Sequence, residues 1–439
     1  LVPGVAQNVR AGAELSAEAA AGSATAAAAL GAIDPASLTF VGGSIDPEAI
    51  AAVEQPLVEV RDALVELRAV AADLESPWLI GRLQDELADL DQRLDTNEPR
   101  LDNAIDAVRL APQMLGGDGE RRYLILFTTP AEARGLGGFV GNWAEVSVDD
   151  GRIALEEFGR TGDLNVAAQD ASCDECPQEY VDRYGRTGLS NGADGTVGPA
   201  AWSNITFGAH FPYIGETAQV LFPQSGGHEI DGVLAMDPYV VEALMQYTGP
   251  IDVPELGVTV PPDAAAEFIL QDQYVLAEDK GVRVEALDTL GRSAIDALLT
   301  GALPGPAELA RDLGPLISER RLLFWTDQPE EQDLLQRTAL IGSIPAYGAD
   351  GGFSISVNNR GENKIDVFLD RQVETRLETD ADGTRRLVAD VTLANNAPTS
   401  GLPAYVIGNN DGEPNGSNLA FLTFYGPPTL EVATRCLLY

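Results

Sequence analysis

The sequence predicts a multidomain α+β protein, with an N-terminal helical bundle or coiled-coil stalk over residues 1–117, a central α/β domain over 118–345, and a C-terminal β-sandwich-like domain over 346–439. Three observations carry this. Apolar residues recur at helical spacing in the first region, short apolar runs alternate with helical segments in the second, and period-two alternation takes over in the third. At 439 residues with 45% hydrophobic content the chain can build two or three cores.

In the first region Leu57, Val60, Leu64, Leu67 and Leu74 follow helical spacing. Ser76-Pro77 reads as a cap with proline at the first helical position. Ile80, Leu83, Leu87, Leu90 and Leu94 then repeat at 3, 4, 3, 4 with charged flanks, which is a coiled-coil seam. Pro99 is expected to break or kink this run before Leu101, Ile105 and Val108 resume it. Two readings stand: a stalk packed on its own neighbours, or a surface for self-assembly or a partner. Ile33-Asp34-Pro35 and Ile45-Asp46-Pro47 mark a loop carrying short helices. The Ala-rich stretch Ala17 to Leu30 falls short of the roughly 20 apolar residues that span a bilayer. Because the chain starts at Leu1, it reads as a processed or partial product.

The central region opens on Tyr123 to Phe127, too short for a helix core and bounded by polar residues, hence a buried strand. Phe139 to Val148 and Ile153 to Phe158 read as two more strands joined by the tight turn Asp149-Asp150-Gly151-Arg152. Asp163 to Ala201 is loop-rich. Glu216 to Phe222 reads as helix, Gly232 to Met236 as strand, and Pro238 to Tyr247 as a helix capped by Asp237. Helices follow from Ala264 to Leu303 and Pro306 to Glu319, then a strand at Leu322 to Trp325 and a helix at Gln332 to Leu335. Such mixing implies a largely internal sheet with helices on its faces.

Beyond Gly352 the pairs Phe353, Ile355, Val357 and Ile365, Val367, Leu369 alternate. Val373 to Leu377 and Arg386 to Leu393 flank a hairpin turn at Asp380 to Gly383. The chain stops at Tyr439 inside what reads as another strand, so this domain is expected to be incomplete. Asn409, Asn410, Asp411 and Glu413 have no complete calcium-ligand spacing and read as a solvated turn.

Charge narrows the partners. The chain has 68 acidic against 28 basic residues, a formal −40, which repels nucleic acid and anionic membrane surfaces. Its only lysines are Lys280 and Lys364. Cys173 and Cys176 form a Cys-Asp-Glu-Cys pair whose acidic interior raises thiol pKa. It reads as a structural disulfide in an oxidising compartment rather than a redox or metal pair. Cys436 is left free or with a partner outside the chain. His210 and His228 have no metal-like spacing, and no metal or cofactor is expected. No nucleophile elbow, Walker loop or dinucleotide fingerprint is present. The site candidate read from the residues alone is Arg134 among Gly135, Gly137 and Gly138, where backbone can approach an anionic group. Asn204 either orients a ligand or satisfies a strand-edge carbonyl.

The blocks RYLILF, AEARGLGGF and VDDGRI resemble the RYL-(I/L)-LF, AELR-x-TGGF and VDxGRI motifs of an uncharacterised family of Gram-positive bacterial envelope proteins. The later blocks WSNITFGAHFP, DGVLAMDP, YTGPIDVP, RRLLFWTDQPEEQDLL and NKIDVFLDR agree in order. That family in turn distantly resembles the LytR-CpsA-Psr enzymes, which move glycopolymers from a polyprenyl pyrophosphate carrier to the wall. The resemblance implies their fold for the central domain and places Arg134 and Arg160 where catalytic arginines stand, able to fork onto pyrophosphate oxygens. Both arginines also have structural readings, as ion pairs with Glu132, Glu145 or Asp163. The aspartates that hold magnesium in those enzymes are replaced here by Leu136 or Gly137 and by Thr128 or Thr129. The resemblance also implies Asn358, Asn359 and Arg360 in the same cleft, and an extracytoplasmic, surface location with a membrane anchor upstream.

Two functions follow. One is a non-catalytic envelope scaffold binding cell-wall glycan or a neighbouring envelope protein. The other is a glycopolymer phosphotransferase with Arg134 and Arg160 on the pyrophosphate, the only case that calls for magnesium.

Overall fold

A computed structural model describes residues 3–189, 196–277, 279–347 and 352–427. Cys436 and the last expected strand lie outside the described residues. The chain divides into two compact units, one of Leu1–Arg121, Val148–Ala154 and Ala302–Leu309, the other of Arg122–Ser147, Leu155–Gly301 and Ala310–Tyr439.

The first unit is mainly helical: α1 (Pro3–Gly31), α2 (Pro47–Ala51), α3 (Glu54–Leu74) and α4 (Gly81–Met114). Short helices occur at Ile33-Asp34-Pro35 and Ile45-Asp46-Pro47 as expected, and the structure adds that Asp34 and Asp46 each cap one that opens on proline, Asp46 Oδ1 accepting the Glu48 N–H at 2.9 Å. Ala11, Leu79 and Leu87 form a core that Leu15, Ala71, Leu74 and Leu83 complete. Leu87 and Leu94 are buried while Ile80 is exposed. The seam of α4 therefore faces its own neighbours.

One expectation about α4 needs correction, and another is narrowed. Ser76-Pro77 does not cap it. Those residues open a turn in which Leu79 donates to the Ser76 carbonyl, and the helix starts at Gly81, where Asn8 of α1 accepts the Ile80 N–H at 2.7 Å. A polar group from another helix has replaced the local cap. Of the two outcomes expected at Pro99, the break does not occur, and the helix runs on to Met114. The buried Leu94 and Ile105 on either side hold it through the lost hydrogen bond. No helix among the described residues is long and apolar enough to cross a membrane.

The second unit is built on a five-stranded sheet of order β3-β2-β1-β4-β7. Its strands are β1 (Arg121–Thr129), β2 (Phe139–Asp149), β3 (Arg152–Arg160), β4 (Gly232–Met236) and β7 (Leu322–Thr326). The chain between β4 and β7 adds a small pair, β5 (Ile251–Val253) and β6 (Val258–Val260). The β2–β3 turn has φ of 46° at Asp150 and 76° at Gly151, and a Cβ on Gly151 would collide with the Ile45 carbonyl. β1 and β4 run parallel, from Tyr123 opposite Gly232 to Phe127 opposite Met236, and β7 is antiparallel to β4.

Helices cover both faces, as the mixed pattern implied. They are α5 (Thr161–Ala167), α6 (Gln178–Tyr184), α7 (Ala201–Asn204), α8 (Phe211–Gln224), α9 (Pro238–Thr248), α10 (Ala265–Glu267), α11 (Gln273–Leu276), α12 (Lys280–Thr300), α13 (Pro306–Ser318) and α14 (Pro329–Arg337). Leu124 and Leu126 pack with Phe211, Ile214 and Phe222 of α8, whereas Ile125 and Phe127 turn to Phe158 and Ile295 of α12. This is the period-two alternation of a strand buried on both faces. Cys173 and Cys176 are joined in a disulfide and buried in the α8-side core.

The C-terminal strands are β8 (Ser354–Asn359), β9 (Leu369–Thr379), β10 (Arg385–Asn395) and β11 (Ala420–Tyr425), with α15 (Ala404–Ile407) between the last two. Among the described residues they do not build the expected sandwich. They form two separate ladders, β8 with β11 and β9 with β10. The reason lies in where the backbone groups go: β8 turns to the glycine-rich crossing, Asn359 N–H donating to the Ala133 carbonyl at 2.8 Å, and β9 is exposed from Asp370 onward.

Candidate functional site

At the C-terminal ends of β1 and β4 lies a cavity of about 230 Å³. Ligands of sheets with parallel strands collect at this edge, because the strands stop there and the connections diverge. Phe127 and Thr129 end β1, Phe139 opens β2, and Phe158 and Arg160 end β3. α12 supplies the opposite wall through Leu287, Gly291 and Ala294, spaced to share one helical face. Gly291 leaves room for the Phe158 ring, which a Cβ there would meet at 2.6 Å. The lining is mostly apolar, with a few polar groups set into it.

Arg160 is a half-exposed cation of that wall, and Lys280 is an exposed one. Arg160 Nε donates to Asp288 Oδ2 at 2.7 Å, and Asn142 donates to the other oxygen of Asp288 at 2.8 Å. Asp237 caps α9, accepting from Tyr239 and Val240, and its second oxygen takes Arg321 Nη1 at 2.7 Å. Burial pushes the Asp237 carboxyl above its ordinary value against the pull of Arg321 and the helix N–H groups. Thr128 donates to the Met236 carbonyl at 3.2 Å. The neighbouring Thr129 hydroxyl is buried with no hydrogen-bond partner among the described residues.

Arg134 does not line this cavity. It is buried beneath the glycine crossing, with Nη2 on Glu132 Oε1 at 2.7 Å and its guanidinium 5.1 Å from the Phe207 ring centre and 5.6 Å from that of Phe139. The other oxygen of Glu132 takes the ammonium of Lys364. Burial works against the Glu132 charge, yet Lys364 and Arg134 outweigh it and hold the carboxyl below its ordinary value. Burial likewise opposes the Lys364 charge, and Glu132 with Tyr274 and Tyr405 keeps that ammonium above its ordinary value. Of the two expected ion-pair readings, Arg134 pairs with Glu132, and Arg160 with Asp288, which the sequence did not suggest.

Gly135 and Gly138 are small for packing reasons. A Cβ on Gly135 would strike the Phe207 carbonyl, and one on Gly138 the Thr129 carbonyl. Gly137 has φ 150° with open space at its Cβ position. Asn358 accepts the Gly135 N–H at 2.9 Å, and Asn359 donates to Asp366 at 2.6 Å, so these two asparagines brace the crossing. Arg360 pairs with Asp411 instead. Asn204 donates to the carbonyl of Thr187, in a 3-10 turn rather than at a strand edge. Asn409 accepts from Asp411 and Glu413 in the expected turn.

Sequence reasoning missed Asp288, Lys364 and the α12 wall. The signal was the series Val284, Leu287, Gly291, Ala294, an apolar face that shrinks along the helix. For magnesium, the wall offers Asp237 and Asp288, each already held by an arginine. No group of three His, Cys, Asp or Glu side chains suited to a metal occurs among the described residues. The donor set does not fit a hard divalent cation.

No curated protein matches the chain. A crystal structure of TagV from B. subtilis is similar at 12% identity, over 52% of this chain and 83% of that one, with a TM-score of 0.24; a likeness of that size carries no argument. Residues 118–274, from just before β1 into the start of α11, match the family described as "Protein of unknown function (DUF4012)".

Proposed function

We propose that this chain is an extracytoplasmic cell-envelope protein whose central domain holds an amphipathic anionic ligand, such as a polyprenyl-linked glycan, without transferring it. The observation that carries the reading is the apolar cavity at the β1 and β4 ends with Arg160 on its wall. Its volume of about 230 Å³ falls below the roughly 300 Å³ at which small-molecule pockets begin. It suits the first units of a chain rather than a whole lipid. The unpartnered Thr129 hydroxyl gives a headgroup a donor at the strand end. Scaffolding is favoured over catalysis because Arg134 is sealed in a buried ion pair and because the resemblance puts Leu136 or Gly137, and Thr128 or Thr129, in place of the aspartates that hold magnesium in the transferases. Cell-wall glycan or a neighbouring envelope protein is the proposed partner, with an anchor upstream.

The phosphotransferase reading keeps one specific support, the pairing of an apolar cavity with Arg160. The deciding experiment measures binding and turnover of a polyprenyl pyrophosphate-linked oligosaccharide, with and without magnesium. Wild type is expected to bind saturably and release no polyprenyl phosphate, with binding abolished by Leu287→Trp, which fills the cavity. Magnesium-dependent release would replace the scaffold reading with the transferase. Binding unaffected by Leu287→Trp would end the cavity's role.

A further inference from the structure

Among the described residues the β9–β10 ribbon is an 11-residue pair standing as its own sheet. Two-stranded ribbons are marginal in water unless a third strand or a packed face supports them. One face of this one carries Val373 opposite Val391 and Leu377 opposite Leu387. Val373, Leu377 and Leu387 are 49%, 63% and 46% exposed. All four carboxylates within the two strands, Asp370, Glu374, Glu378 and Asp390, lie on the opposite face by parity.

The two strands differ in cover. β10 is half-buried at Val388, Ala389, Val391 and Leu393, whereas β9 is exposed at every residue after Leu369. β9 contains neither proline nor lysine, and the guards it does carry are charges of both signs, Asp370, Arg371, Glu374, Arg376 and Glu378. Asp380 N–H donates to the Thr384 carbonyl at 2.8 Å. Antiparallel alternation from that bond turns the even-numbered residues of β9 toward β10 and leaves Thr375 and its odd neighbours to donate and accept outward.

We propose that this outward edge pairs with the β9 edge of a second copy of the chain, antiparallel about Thr375, making a four-stranded sheet. Charge selects the occupant. A two-fold at Thr375 sets Glu374 opposite the partner's Arg376 twice and Val373 opposite the partner's Leu377 twice. A two-fold at Glu374 or at Arg376 would set like charges against each other. The pairing keeps the apolar residues on one continuous face and does not depend on the cavity.

The test is sedimentation of the full chain with circular dichroism as the folding control. Wild type is expected to dimerise. Glu374→Arg and Arg376→Glu should each weaken the dimer on the order of tenfold or more, since each puts like charges opposite one another twice. An equimolar mixture of the two variants should dimerise again, because Arg meets Glu at both places. Folded wild type that stays monomeric across the loading range overturns the proposal. So does a dimer that survives both substitutions, or a mixture of folded variants that fails to associate.

Discussion

Arg134 and Arg160 sit at the two edges of one glycine- and strand-rich stretch, and the structure treats them oppositely. The Arg134 side chain is 6% exposed, boxed by Glu132, two aromatic rings and a second cation. That of Arg160 is 41% exposed, with one carboxylate partner on a cavity wall. The difference teaches that a guanidinium is available to a ligand only where its neighbours leave it solvated. The cost of removing its counter-charge should scale the same way.

The largest effect should come from Glu132→Gln, which leaves Arg134 and Lys364 buried without their shared carboxylate. A loss of about 3–5 kcal/mol in urea unfolding is expected, whereas Asp288→Asn at the exposed pair should cost about 1 kcal/mol or less. Equal losses would erase the contrast. Acid should find the same weak point. The Glu132 carboxyl is held below its ordinary value of 4.5, so its contribution is whole above that value and drains as pH falls through it toward the lower folded one. Unfolding free energy measured on descending pH should therefore fall more steeply in wild type than in Glu132→Gln.

Arg160→Ala should sharpen the comparison from the other side. Affinity for a polyprenyl pyrophosphate should drop about tenfold, as expected for one charge-assisted contact, with unfolding changed by less than about 1 kcal/mol. Smallest is Thr129→Val, which removes an unpartnered buried hydroxyl. A gain of up to about 1 kcal/mol without ligand is expected, together with weaker ligand binding, both read by thermal melts with and without lipid.

Much of the central fold was legible because local signals agreed with their setting. The apolar run at Tyr123 to Phe127, the Asp-Pro helix starts and the Asp-Gly turn each mean one thing at short range. The failures came where a distant residue decided. Asn8 moved the start of α4, and packing carried that helix through Pro99. In the site, the glycine crossing was found but not what crowds it. Gly135 and Gly138 are small because other backbone passes close to them, and neither Glu132 nor Lys364 announces in sequence that they meet across 232 positions.

The scarcity of lysine has a practical consequence at the cavity. Lys364 is 5% exposed and locked to Glu132, while Lys280 is exposed and lines the cavity. In the folded chain an acylating reagent therefore meets one accessible side-chain amine, set in the lining of the proposed site. A reporter dye attached there would sense occupancy directly, and protection of that amine by a candidate lipid would identify the ligand without any assay of turnover.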